Sequence, residues 1–161
     1  MDCFDEGYDC GPTLFVVDKD SDGVIVEELF TSIDGSTHGR VHFVDVKVPK
    51  QNIVGKIGEG IPAAIDRILR ERLEQAAIAS GMAIKATKLL ETHLSKRNGA
   101  GKRMADIEGI RLRYADMRIK TYAIRSVLYR TSAMIDDSND AINEITMTKV
   151  FCTETASEVI D

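Results

Sequence analysis

Two long runs of apolar residues at helical spacing leave few folds open to this chain. From Gly60 onward, Ile61, Ile65, Ile68, Leu69, Leu73, Ala76, Ser80, Ala83, Ile84, Thr87, Leu90 and Leu94 fall on one stripe whose intervals sum to helical turns. The spacing predicts a helix of about 35 residues, roughly 50 Å long at a rise of about 1.5 Å per residue. Next, Ile107, Ile110, Tyr114, Met117, Thr121, Ile124, Leu128, Thr131 and Ile135 recur at strict three-four spacing over four heptads, a coiled-coil-like seam. The polar run from Asp136 to Asp140 breaks it. Ile142, Ile145, Lys149, Cys152, Ala156 and Val159 then form a third stripe. Short links between long helices make neighbours antiparallel, so three antiparallel helices are expected. Such a trio leaves one side apolar, which favours association.

Before Gly60 the pattern is different. Thr13 to Val17, Val24 to Val26 and Val41 to Val48 are short β-rich runs separated by Asp- and Gly-rich turns. They suggest half of a small β-barrel, so the fold class is α+β: a short antiparallel β segment followed by three long helices. The boundary is placed at residues 58 and 59.

Composition narrows the function. With 43% apolar and 29% charged residues, the chain is ordinary for a globular protein. A net charge of −5 argues against a nucleic-acid surface, which needs clustered cations. Residues 1 to 6 carry neither the basic nor the apolar region of a secretory signal, and no apolar run approaches the ~18 residues that span a bilayer. Cys3, Cys10 and Cys152 are odd in number and lack metal-ligand spacing with His38, His42 or His93. Reduced thiols in the cytoplasm, or in an organelle matrix if the source is eukaryotic, are the expectation.

Two motifs invite functional readings that the residues do not sustain. Asp18 to Ile25 matches the first eight positions of an EF-hand loop, but the twelfth, where a bidentate Glu closes the calcium sphere, is Leu29. Its flanks also read as strands, so the run is a polar hairpin turn. Gly55, Gly58 and Gly60 lack the order of a dinucleotide loop and read as a flexible link into the first helix.

A third set of residues carries a resemblance. The pair Glu71-Arg72 lies on the first helix, Arg97-Asn98-Gly99-Ala100-Gly101 follows it, and Glu108-Gly109-Ile110 leads to Ala115-Asp116-Met117 on the second. This order is similar to that of the acyl-CoA dehydrogenase family, whose members show an ER-type pair, an Arg-x-x-Phe-Gly turn and a helix reading roughly Gln-x-Ile-x-x-x-x-Ala-Asp-Met. Upstream, Val41 to Pro49 and Gly55 to Gly60 resemble the family's passage from the β-domain, and the likeness runs downstream to Lys149. It therefore covers nearly the whole chain.

The resemblance implies a specific layout. Residues 1–58 would be the second half of the middle β-domain, and 59–161 most of a C-terminal four-helix bundle. An α-helical domain and half a β-domain would precede Met1. Asp161 falls a few residues short of a Gln-x-x-Gly-Gly flavin-contact turn, so the chain is expected to be under half of a family member.

The implied chemistry is α,β-dehydrogenation of an acyl-CoA thioester. A carboxylate takes the α proton while a hydride leaves the adjacent carbon for the N5 of FAD. Glu71 is the candidate base, as in one branch of the family; in the other branch the base lies beyond Asp161. Arg72 would support it by favouring the carboxylate form. Read without the resemblance, Glu71 is a solvated residue among Arg67, Arg70, Arg72 and Glu74, and Arg72 is an ion-pair partner of Asp66, Glu74 or Glu91.

Arg97 corresponds to the Arg that reaches the flavin pyrophosphate, usually across a subunit interface, and its fork suits phosphate. Alone it reads as a cation beside a helix C-terminus. Gly101, Glu108 and Ile110 occupy the other cofactor-binding positions of the motif. Ala100 replaces the Phe that packs on the cofactor, and Glu108 puts an anion where the family has a neutral amide.

Two functions of different class follow. One is an acyl-CoA dehydrogenase that passes electrons to an electron-transfer flavoprotein and works as a homo- or hetero-oligomer. The other is a non-catalytic assembly module or degenerate partner subunit, which Ala100 and Glu108 favour. In either case the polypeptide alone is expected to bind FAD weakly or not at all.

Overall fold

The structure is a computed structural model that describes residues 2–5, 8–97, 99–137 and 141–161, with side chains from residue 11 onward. Expectations for the thiols of Cys3 and Cys10, for Asn98 in the turn, and for residues 138–140 in the second break lie outside that set. The chain forms two compact units, Met1–Asp66 and Arg67–Asp161.

Among the described residues the first unit consists of three separate antiparallel pairs and no closed barrel. Strands β1 (Asp2–Asp5) and β2 (Tyr8–Pro12) pair with each other, as do β4 (Val24–Thr31) and β5 (Thr37–Phe43). The short β3 (Leu14–Phe15) pairs with β6 (Ile53–Val54). Long-range hydrogen bonds account for the departures from the expected strand limits. Only Leu14 and Phe15 form a ladder because the Val16 N–H goes to the Asn52 carbonyl (2.8 Å) and Asn52 Nδ2 donates to the Val16 carbonyl (2.9 Å).

Pairing of the Val41 to Val48 run stops at Phe43. There Val44 N–H turns to the Gly23 carbonyl (2.9 Å), and Asp45 adopts φ +50° in the left-handed region. β4 extends past Val26 through a bulge. Glu28 has φ +47°, residues 28 and 29 oppose Gly39, and Arg40 pairs with Glu28 at 3.2 Å. Leu29 and Phe30 stand 70% and 60% exposed, so this hairpin has no buried face of its own.

The Asp18 turn is closed by its own backbone. Asp18 Oδ1 accepts the Asp20 N–H (3.1 Å), and its carbonyl accepts that of Ser21 (3.1 Å). Among the described residues no group of three or more His, Cys, Asp or Glu is placed to hold a metal ion.

The glycine link is tied down instead of flexible. Gly58 N–H donates to the hydroxyl of buried Thr13 (3.0 Å), and Gly60 is itself buried. A Cβ at Gly60 would lie 2.8 Å from the Pro12 carbonyl oxygen and 2.9 Å from the Leu14 nitrogen, both backbone atoms with little room to yield. Gly60→Ala is therefore expected to destabilise the chain by about 1–3 kcal/mol, the usual range for overpacking. Urea denaturation checks this, and an unchanged midpoint would refute the close approach.

The second unit is built on the expected helices: α1 (Gly60–Ser95, 36 residues, its first turns in the first unit), α2 (Glu108–Asp136, 29 residues) and α3 (Ile142–Ile160, 19 residues). Their contacts fix direction. Thr87 meets Thr121 and Glu91 meets Arg118, so α1 and α2 run antiparallel; Thr131 meets Thr148 and Lys120 meets Glu158, so α2 and α3 do too.

Small side chains make up much of the core: Ala76, Ala83, Ile124, Cys152, Ala156 and Val159, with Ala79, Met117 and Leu128 against it. Buried hydroxyls run through it. Thr131 and Thr148 meet at 2.6 Å, Thr87 and Thr121 at 3.1 Å, and Ser80 donates to the Ala76 carbonyl at 2.8 Å. Among the described residues no buried side-chain N or O lacks a partner, which keeps the cost of burying these groups low. Short side chains at such contacts let α2 and α3 approach closely. Cys152 is fully buried, its thiol donating to the Ile124 carbonyl (3.6 Å), and desolvation pushes its pKa up against the opposing Ser80 bond.

Some stripe residues are not covered. α1 outruns its partners: its contact with the start of α3 is Arg72 to Thr146, and Ile61, Ile65 and Ile68 before it are exposed. Ile107 and Ile135, at the two ends of the second stripe, are exposed as well, and off the stripe so are Leu112, Ile119, Tyr122 and Tyr129. Among the described residues no helix is long and apolar enough to cross a membrane.

Candidate functional site

Glu71 lies three turns into α1, where its carboxylate is exposed. Its neighbour Arg67 is engaged elsewhere, 3.9 Å from Glu74. No ion pair or hydrogen bond engages the Glu71 side chain among the described residues. Arg72, the next residue, points to a different face, since adjacent helical side chains do not face each other. It is half-buried, and its Nη1 donates to Thr146 Oγ1 on α3 at 2.8 Å. Thr146 in turn donates to the Ile142 carbonyl (3.0 Å), so the guanidinium is held to α3.

The other four positions gather around the turn that follows α1. Arg97 is exposed; its Nη1 donates to the Gly101 carbonyl (2.7 Å), and its backbone forms an antiparallel bridge with Arg103. Gly101 has φ +76°, a conformation that glycine adopts at no steric cost and that closes the turn. The Asp106 carboxylate accepts the Arg103 N–H (3.0 Å), and the short 3-10 turn Met104–Asp106 leads into α2. Glu108 is the first residue of α2, exposed, its charge favoured there by the helix dipole. Ile110 is half-buried and lines a groove of about 690 Å³ with Leu90, Leu94, Met104, Met117 and Val159.

The structure thus forms two separate groupings. From Glu71 to the end of α1 at Ser95 is about 36 Å at 1.5 Å per residue. One chain does not bring Glu71 and Arg97 to one point.

The donor set at the Arg97 turn fits a phosphate-bearing cofactor. Arg97 spends one N–H on Gly101 and keeps the rest of its fork, and no side chain caps the N-terminus of α2. Glu108 opposes an anion there, although its exposure lets the carboxylate turn to solvent.

Sequence reasoning overlooked Thr146, which lies beside the α3 stripe and whose pairing with Arg72 spans 74 residues. It also missed Lys120, which bridges Asp116 and Glu158 at 3.0 Å each and whose pKa is raised by the Asp116 bond first and the Glu158 bond second. An i, i+4 Asp-Lys pair on α2 was the available signal.

Three antiparallel helices that follow a β segment in the chain, with an arginine turn between the first two, make a helical-bundle domain of the α+β class. The sequence model of the acyl-CoA dehydrogenase C-terminal domain matches residues 58–161. A probable acyl-CoA dehydrogenase of Mycobacterium tuberculosis, FadE10, is 31% identical over 159 residues, 97% of this chain and 24% of that protein. The caffeyl-CoA reductase-Etf complex subunit CarC of Acetobacterium woodii is 30% identical over 151 residues, 92% of this chain and 40% of CarC. Among solved structures, a probable acyl-CoA dehydrogenase from Mycobacterium abscessus superposes with a TM-score of 0.84 at 25% identity, covering 91% of this chain and 40% of that one. The chain belongs to the acyl-CoA dehydrogenase family. It spans 24% to 40% of the length of these relatives.

Proposed function

We propose that this chain supplies the second half of the β-domain and three helices of the C-terminal bundle to a flavin-dependent acyl-CoA dehydrogenase. One observation carries the reading: the Glu71-Arg72 pair, the Arg97 turn and Ala115-Asp116-Met117 lie in family order on an antiparallel trio that the family model matches.

Glu71 is the base. Its carboxylate is engaged by no partner among the described residues, so it is available to take the α proton of an acyl-CoA once other walls exclude water. Arg72, on an adjacent face and fixed by Thr146, supports the base by holding this part of α1 to α3. FAD, when bound, accepts the hydride. Arg97, with Gly101, Glu108 and Ile110 around it, holds the pyrophosphate end. The separation of Glu71 from Arg97 along α1 supports an oligomer in which a second copy lends its Arg97 to the site containing Glu71.

A structural neighbour at 26% identity, titled an electron transferring flavoprotein of Acidaminococcus fermentans, supports a flavin as the cofactor, and the family order of Arg97 and Gly101 points to FAD. The CarC name, which includes an Etf complex, supports an electron-transfer flavoprotein as acceptor. The proposed location is the cytoplasm, or an organelle matrix in a eukaryote. Ala100 and Glu108 favour a second reading, a partner subunit without its own flavin.

The visible spectrum and the light-scattering mass test these readings. Residues 1–161 with added FAD are expected to be colourless and associated; a tightly bound flavin on them would overturn the division of the site proposed here. Joined to the preceding and following segments of FadE10, the chain is expected to hold flavin that an acyl-CoA bleaches. A colourless, well-folded fusion would instead establish the partner-subunit reading.

A further inference from the structure

A small cleft of about 160 Å³ lies between α1 and α2, with a polar lining of Thr87, Lys88, Glu91, Arg118, Thr121 and Arg125. The resemblance assigns a role to none of them. Three cations less one carboxylate leave two formal positive charges around it.

These charges are not equally engaged. Arg118 is oriented: it donates to the Tyr114 hydroxyl (3.1 Å), lies 5.9 Å from the centre of that ring, and has Glu91 at 3.9 Å. Arg125 lies 5.7 Å from the centre of the Tyr129 ring and has no carboxylate partner among the described residues, nor does Lys88. The floor is made by Thr87 and Thr121, 4% and 8% exposed, with hydroxyls 3.1 Å apart. Thr87 gives its proton to the Ala83 carbonyl (2.8 Å), so the Thr121 proton can serve either Thr87 or a group in the cleft.

Helical spacing produces this convergence. Residues 84, 87, 88 and 91 share one face of α1, and 118, 121 and 125 one face of α2. Like charges gathered over a low-dielectric floor repel one another and raise the local concentration of anions.

We propose that this cleft binds a phosphate-class dianion, held by Lys88 and the Arg125 fork, with Arg118 as a pre-oriented third cation and Thr121 as a neutral donor. Two excess positive charges match the charge of a dianion, and a guanidinium fork suits its oxygens. Glu91 sits against Arg118, so its charge is partly offset.

The test uses residues 1–161, with inorganic phosphate as probe. Thermal unfolding is followed with sodium phosphate, sodium chloride and sodium acetate at matched ionic strength. A ligand that binds only the folded chain raises its Tm in a saturable way. Phosphate is expected to do so, and to shift the NMR amide signals of Thr87 and Thr121.

Lys88→Gln with Arg125→Gln should weaken saturation about tenfold or more, equivalent to about 1.4 kcal/mol. Both residues are exposed, so the fold should tolerate the change. Arg67→Gln, which removes a surface cation elsewhere on α1, should leave the response unchanged. An equal response to chloride would show general screening. An equal response to acetate would show a carboxylate site, and a full phosphate response in the double variant would show binding elsewhere. Each of these three results overturns the proposal.

Discussion

Glu71→Gln is expected to lower kcat by about 10²–10⁴-fold in a flavin-loaded protein carrying this chain, the usual contribution of a positioned general base. The substitution keeps the side chain's shape and removes the group that takes the proton. An interaction made only in the transition state lowers kcat and kcat/KM together, so KM should stay nearly constant. Flavin content and melting temperature should also hold, because the exposed carboxylate carries no ion pair among the described residues. Glu74→Gln is the control, its carboxylate lying 3.9 Å from Arg67 one face away. Stopped-flow bleaching of the flavin by acyl-CoA reads both. If Glu71→Gln bleaches at the parental rate, the base lies elsewhere, as in the branch that carries it beyond the position of Asp161.

The largest loss of stability is expected from Ile124→Ala, at about 2–5 kcal/mol. Ile124 is fully buried and, among the described residues, is the largest side chain so enclosed. Around it stand Ala76, Ala83, Cys152 and Ala156, too short to fill the space its removal would leave. The helices also cannot close in easily, because Thr131–Thr148 at 2.6 Å already holds α2 and α3 at contact. At about 2–4 °C per kcal/mol for a chain of this size, Tm should fall by roughly 4–20 °C. Far-UV circular dichroism checks this, since the helices dominate the signal. A change below about 0.5 kcal/mol, the scale of exposed substitutions, would mean that the core is not packed around Ile124.

The helical unit was legible because its information is local. Apolar residues recurring every three or four positions define a stripe whatever lies opposite, and α1, α2 and α3 follow the expected stripes closely. The candidate site was legible only as an order of motifs. That Glu71 and Arg97 lie far apart follows from the length of α1 between them, yet which group each side chain meets does not.

Partners far apart in the chain required the tertiary structure. Arg72 was weighed as a partner of Asp66, Glu74 or Glu91, all on its own helix, and instead donates to Thr146 on α3. The Gly58 and Gly60 link looked free in sequence and is held by Thr13, some 45 residues away. Strand limits in the first unit had the same origin. Val41 to Val48 has β propensity throughout, but the ladder ends where Val44 finds Gly23 and Asp45 turns left-handed.

Periodicity by itself therefore determined the helices, their number and their order, because helical hydrogen bonds close within four residues. Tertiary structure alone decided where the strands stop, which cation each hydroxyl holds, and that Lys88, Arg118 and Arg125 converge on one cleft. Those outcomes depend on groups brought together by packing, whose separation along the chain no local pattern encodes.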